Sequence, residues 1–358
     1  MAPIRVVVVD DSALVRGLLA EIINREPDMT CIGTASDALA AREMIRALDP
    51  DVITLDVEMP RMDGLAFLER LMRLRPMPVV MVSTLTERGA QATLRALELG
   101  AVDFVAKPRI GAAGGLRGLA CELTAKLRVA SCASFASLRR AARPAPIDPA
   151  TPVSLRDTGP NDRVVFIGAS TGGTEATRAI LMRLPADAPP ILITQHMPPG
   201  FTRSYAERLD RQCRIRVSEA RDGEPLRRGH ALVAPGGRQL SVEHSASGLR
   251  ARVVDGEPVN RHQPSVEVLF DSAARSVGAA AIGIMLSGMG ADGAAAMKAM
   301  RNAGAWNLAQ DEASCVVFGM PREAIAAGAV HEVLPLDAIA GRLIERIAAA
   351  LPAPLASA

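Results

Sequence analysis

The sequence predicts an α/β chain made of two doubly wound parallel-sheet domains, and three observations predict it. Short apolar, β-branched runs alternate with segments of helical spacing from Ile4 to about residue 127, and the alternation resumes at Val164. Between these stretches the chain turns rich in Ala, Ser and Pro, the composition of a linker. In both stretches the polar residues gather where an apolar run stops, which in open parallel sheets is where ligands bind and chemistry occurs. The expected division is 1–125, a linker at 126–160, and 161–358.

A chain of 358 residues with 49% hydrophobic content can fill two cores. A net charge of +2 and only 3% aromatics argue against nucleic acid as a partner. No apolar run reaches the roughly 18 residues of a membrane span, and the N-terminus enters a strand directly, so the expectation is a cytoplasmic protein that is not membrane-embedded. Five scattered cysteines without a C-x-x-C pair exclude a zinc ribbon and speak against a disulfide framework.

Taken in order, Ile4–Val9 is a nearly continuous β-branched run that suits a strand covered on both faces, and it ends in Asp10-Asp11. Leu14, Val15, Leu18, Leu19, Ile22 and Ile23 follow at i, i+3, i+4 spacing after Ser12 as N-cap. Strands at 30–34, 51–55, 78–82 and 101–105 then alternate with helices at 37–48, 64–74, 88–99 and 115–127. At the carboxyl ends of these strands stand Asp10, Asp11 and Asp56, with Ser83 and Lys107 after the fourth and fifth. Three converging acids repel one another unless a divalent cation joins them, and hard oxygen ligands favour magnesium. Asp56 alone would read as a solvated loop carboxylate; the five positions together do not.

Asp10-Asp11, Asp56 followed by Met59-Pro60-x-Met62-Asp63-Gly64, Ser83 and Lys107-Pro108 resemble the two-component receiver domain, with its flavodoxin-like fold. The resemblance implies that Asp56 accepts a phosphoryl group from a histidine kinase and that Asp10 and Asp11, with Asp56, position Mg2+. It also implies that Ser83 reads the phosphate, Lys107 pairs with it, and Phe104 is the aromatic switch; Thr84 departs from the Ala of many receivers. The linker that follows carries Arg139, Arg140 and Arg143, then Pro144, Pro146, Pro149, Pro152 and Pro160, and its proline-dense part should be extended.

The second domain opens with Val164–Ile167 running into Gly168-Ala-Ser170-Thr-Gly172-Gly173, a strand, a cramped turn and a helix. Such a turn lifts a hydroxyl out of the sheet end, as a nucleophile elbow does, and Ser170 is the nucleophile candidate. A phosphate-cradling dinucleotide loop is the alternative, but that fold wants an acid at the next strand end, roughly 20 residues on. Here Ile191–Thr194 ends in Gln195-His196-Met197, placing a potential general base there instead. Further on, a helix is expected from Phe201 to Leu209, strands near 215–217, 231–234 and 240–242 with hairpins, and a helix from Pro264-Ser265-Val266. A last apolar strand, Ala279–Leu286, breaks at Ser287-Gly-Met289-Gly-Ala-Asp292-Gly293.

If these strands are parallel, Ser170, His196 and Asp292 reach one rim, as a Ser-His-Asp triad requires. The order Ser, His, Asp differs from that of α/β-hydrolases. For His196 the serious rival is His262, while His230, His244 and His331 read as structural or exposed; Asp292 would also serve as a helix N-cap without any catalytic part.

Behind a receiver, Ile167–Gly173, Gln195-His-Met197 and Leu286–Gly293 together resemble the chemotaxis methylesterases of the CheB family over essentially the whole length, which implies a Rossmann-like second domain with added hairpins. The resemblance implies a hydrolase that removes methyl groups from chemoreceptor glutamates and deamidates chemoreceptor glutamines, needing no cofactor for the hydrolysis. It implies Ser170, His196 and Asp292 as the triad, with Thr171 and the backbone around Met289 lining the oxyanion site. The partners it implies are the receptors and a chemotaxis histidine kinase, and tethering a receiver to a hydrolase implies control by phosphorylation. Two rivals stay open: a receiver joined to a DNA-binding output module, and a hydrolase of small esters or amides.

Overall fold

The computed structural model describes residues 2–59, 62–84, 86–107, 115–133 and 163–348. Pro60, Pro108, the arginines and prolines of the linker, and the Ala-rich C-terminus lie outside the described residues. The chain divides into two compact units, Met1–Ala145 and Pro146–Ala358.

The first unit runs β1 (Ile4–Val9), α1 (Ala13–Asn24), β2 (Met29–Ala35), α2 (Ala38–Leu48), β3 (Val52–Asp56), α3 (Gly64–Leu74), β4 (Val79–Ser83), α4 (Glu87–Glu98), β5 (Asp103–Ala106) and α5 (Gly115–Ser131). All strands pair in parallel in the order β2-β1-β3-β4-β5. Val6–Val9 and Val79–Val82 are buried because helices cover both faces of the sheet, which explains why these strands read as unbroken apolar runs. Ser12, Asp37, Asp63 and Thr86 cap α1 to α4 by accepting from backbone N–H groups of the first turn. The last helix continues to Ser131, a turn beyond the expected 127.

The second unit runs β6 (Val164–Ala169), α6 (Gly173–Leu181), β7 (Ile191–Gln195), α7 (Phe201–Gln212), β8 (Arg216–Glu219), β9 (His230–Val233), β10 (Gln239–Ser245), β11 (Gly248–Val254), α8 (Val266–Ser276), β12 (Ala281–Met285), α9 (Ala294–Asn302), β13 (Trp306–Gln310), α10 (Met320–Ala326), β14 (Glu332–Leu334) and α11 (Leu336–Ala348). Seven strands form a parallel sheet in the order β14-β13-β12-β6-β7-β9-β8. The expected hairpin is the separate antiparallel pair β10-β11, packed on α8 through Val242, whose N–H donates to Ser272 Oγ at 3.0 Å.

Each sheet has one switch point, where successive connections leave in opposite directions: between β1 and β3 in the first, and between β6 and β12 in the second. The crevice at such a point is where this class of sheet holds its ligands.

Candidate active site and phosphoacceptor site

In the first unit Asp10 directly follows β1 and Asp56 closes β3, so the switch point sets two carboxylates side by side. Both are buried while Asp11 is exposed, and one carboxylate oxygen of each of the three lies within 4.8 Å of the others. Lys107, just past β5, reaches back with Nζ 2.9 Å from Asp10 Oδ2 and 2.8 Å from Asp56 Oδ2. Its N–H donates to the Ser83 carbonyl at 2.7 Å, which anchors it at the sheet edge.

Burial pushes the Asp56 carboxyl up and the Lys107 ammonium pulls it down; burial wins, and the group rises from 3.8 to about 6. Burial works against the Lys107 charge, but its bonds to Asp56 and Asp10 outweigh that and raise it. One ammonium among three carboxylates leaves negative charge uncompensated, and an all-oxygen donor set of this kind fits Mg2+. Ser83 Oγ donates to the Gly89 carbonyl at 3.2 Å, tying the end of β4 to α4. Phe104 is buried, with Lys126 Nζ 4.9 Å from its ring centroid.

In the second unit β7, β6 and β12 are adjacent, and Ser170, His196 and Asp292 follow them at the same carboxyl edge. The Ser170 N–H donates to the Ser287 carbonyl at 3.0 Å, and the Ser170 carbonyl accepts from Gln195 Nε2 at 2.8 Å. The His196 N–H donates to the Ala169 carbonyl at 3.1 Å, so the main chains beside Ser170 and His196 are neighbours. Gly172 sits at φ +77° before α6, a left-handed position that favours glycine. A Cβ on Gly288 would stand 2.8 Å from Ser170 Cβ, so the turn after β12 packs directly on the serine.

Asp292 is buried and collects donors. His196 Nε2 lies 2.8 Å from Oδ2, Asn260 Nδ2 and Ser265 Oγ donate to Oδ1 at 2.8 and 2.7 Å, and the Val266 N–H donates to Oδ2 at 2.6 Å. Burial alone would push the carboxyl up, but the bonds and charge of His196 and the bonds of Asn260 and Ser265 hold it down at about 2. An ionised Asp292 requires a proton on Nε2, which leaves Nδ1 as the basic nitrogen of neutral His196; that Nδ1 is buried and has no hydrogen-bond partner among the described residues.

Asp292 does act at a helix N-terminus, but not that of the helix following it. Gly293 precedes α9, whereas Asp292 accepts from the first N–H groups of α8. Thr171 is buried, its carbonyl accepting from Ser287 Oγ at 2.8 Å, and Met289 is 38% exposed. Among the other histidines, His230 bonds Ser218 Oγ at 2.8 Å and His331 Nδ1 accepts from the Asn307 N–H at 3.1 Å, both structural roles. His262 belongs to neither group: its ring stacks on that of His196. Sequence reasoning passed over Asn260, Ser265 and Ser287; the polar run Asn260-Arg-His-Gln-Pro-Ser265 was the signal.

Two family models match the chain: CheB methylesterase over residues 165–343 and the response regulator receiver domain over residues 6–112. The protein-glutamate methylesterase/protein-glutamine glutaminase 1 of Albidiferax ferrireducens is 62% identical over 356 residues, covering 97% of this chain and 95% of that protein. The corresponding protein of Nitrosomonas europaea is 57% identical, covering 98% of each chain. The crystal structure of the Thermotoga maritima CheB methylesterase catalytic domain superposes with a TM-score of 0.50 at 37% identity, covering 51% of this chain and 98% of that one.

Proposed function

The chain belongs to the CheB methylesterase family, as a chemotaxis protein-glutamate methylesterase and protein-glutamine glutaminase with a receiver domain, and from that premise we propose that Ser170, His196 and Asp292 form the triad that acts on chemoreceptor side chains. Ser170 Oγ attacks the γ-carbonyl of a glutamate methyl ester while His196 Nδ1 takes its proton, and Asp292 stabilises the imidazolium through Nε2. Donors at Thr171 and the backbone around Met289 hold the oxyanion. His196 returns the proton to the departing methoxide, so methanol leaves. Water then attacks the acyl-enzyme and gives a proton to His196, which passes it to Ser170 Oγ as the acyl bond breaks and glutamate leaves. A glutamine follows the same route with ammonia leaving.

The observation that carries this reading is the 2.8 Å contact of His196 Nε2 with Asp292 at the edge shared with Ser170, leaving Nδ1 as the base. The exposed Met289 beside the turn suits a site that receives a protein surface. Ser170→Ala should abolish methanol release from methylated receptors with the circular dichroism spectrum unchanged; retained release would refute the triad.

In the first unit Asp56 accepts the phosphoryl group from a chemotaxis histidine kinase, and Asp10, Asp11 and Asp56 would hold Mg2+, whose charge offsets that of the phosphoryl oxygens. Lys107 pairs with the bound group, Ser83 reads it, and Phe104 serves as the switch. The reading divides the chain into receiver 1–125, linker 126–160 and catalytic domain 161–358, and places the reaction in the cytoplasm. Phosphorylation of Asp56 sets the esterase rate, so an acyl phosphate donor should accelerate the full chain but not a fragment starting near Gly159.

A further inference from the structure

His262 lies parallel to His196, ring centroids 3.7 Å apart and planes inclined by 7°. That separation is contact distance between two aromatic faces. One hydrogen bond from Nε2 to Asp292 holds one edge of the His196 ring; a second ring pressed on its face restrains its tilt. The backbone carrying His262 is built tightly. Val259 and His262 exchange both backbone hydrogen bonds, at 3.0 and 2.9 Å, around a two-residue turn whose central residues, Asn260 and Arg261, sit at φ +52° and +69°. That is the backbone of a type I′ turn, which usually carries Asn or Gly; an arginine there is strained. Strain of this kind persists where surrounding structure over-determines it, and it gathers at functional sites. The same turn delivers Asn260 to Asp292 and His262 to His196, so one short segment fixes both partners of the acid–base pair.

We propose that His262 is a positioning residue for the esterase reaction: its ring locks the orientation of His196 and presents a π face to the imidazolium that forms when Ser170 is deprotonated. The inference rests on the triad reading. Asp292 bonds His196 directly, Glu267 near it accepts from the Gly293 N–H at 3.0 Å, and His262 covers the ring face. A π face over the imidazolium stabilises it as it forms.

The test is methanol release from methylated receptors by the full chain, measured as kcat and KM. His262→Ala should lower kcat by about tenfold or more with KM changed less than about twofold. His262→Phe, which restores an aromatic face, should recover kcat to within about threefold. If the alanine variant fails to fold, His262→Leu, which fills the space without a π face, takes its place with the same expectation. An Ala or Leu variant as fast as the parent, or a loss that Phe does not rescue, overturns the inference. Ser170→Ala run alongside separates the two claims: turnover surviving in Ser170→Ala removes the triad and the inference together, whereas a dead Ser170→Ala beside an unimpaired His262→Ala removes only the inference.

Discussion

Asp56 and Asp292 are both buried aspartates at the switch point of a parallel sheet, yet the first is pushed up to about 6 and the second held down at about 2. The difference lies in what surrounds them. Asp56 shares one ammonium with Asp10 and takes one N–H bond, from Glu58 at 3.3 Å. Asp292 takes bonds from His196, Asn260, Ser265 and the N-terminus of α8. Burial therefore does not set the charge of a carboxylate by itself; the number of donors facing it does. An under-supplied carboxylate suits a position that receives a cation and a phosphoryl group. An over-supplied one suits a position that must stay ionised while it stabilises an imidazolium.

The largest expected consequence of this contrast is in rate. Asp292→Asn turns the partner of His196 Nε2 into an uncharged amide, removing the stabilisation of the imidazolium and the control of its tautomer, and kcat for methanol release should fall by about 10³- to 10⁴-fold. A loss under about tenfold would mean that Asp292 serves only as the cap of α8.

The same substitution should act with opposite sign on the stability of the two domains. Asp292 binds its proton more weakly folded than unfolded, so it contributes stability that is present above its ordinary value of 3.8 and lost as pH falls through about 2. Asp56 binds its proton more tightly folded, so its ionisation costs stability in full above about 6, and the cost disappears as pH falls toward 3.8. At pH 7 Asp292→Asn should destabilise the second domain by about 1–3 kcal/mol, and Asp56→Asn should stabilise the first by a similar amount. Native-state hydrogen exchange on the full chain, read domain by domain, measures both; equal signs would break the contrast.

The smallest effect concerns the cation. Added Mg2+ should protect the first domain in the same exchange experiment, and Asp11→Ala should weaken its apparent affinity by about tenfold, since the exposed carboxylate supplies one of three acidic oxygens. Protection unaffected by Asp11→Ala would place the ion elsewhere.

Legibility in the sequence also differs between the two sites. The proposed phosphoacceptor site gathers Asp10, Asp56, Ser83 and Lys107 at the carboxyl ends of strands β1, β3, β4 and β5, and a strand end is visible wherever an apolar run stops, so these positions could be read from the chain. Ser170 and His196, directly after β6 and β7, were visible for the same reason, and Asp292 stood out in the glycine-rich turn after β12. What escaped was the support: Asn260, Ser265 and the stacking of His262 come from a turn with no apolar periodicity, fixed by left-handed backbone at Asn260 and Arg261 and by bonds to Asp292. Those contacts cross long stretches of chain, and only the folded structure pairs them. The position of Asp292 misled in a related way, because local sequence suggests a cap for the helix after it, whereas the fold turns the carboxylate toward α8.

The central claim is that Ser170 is the nucleophile and His196 its base. Treating the full chain with a fluorophosphonate and mapping the adduct by mass spectrometry tests it directly: the account predicts modification at Ser170, lost in His196→Ala. An adduct on another residue, or labelling of Ser170 that does not depend on His196, would contradict it.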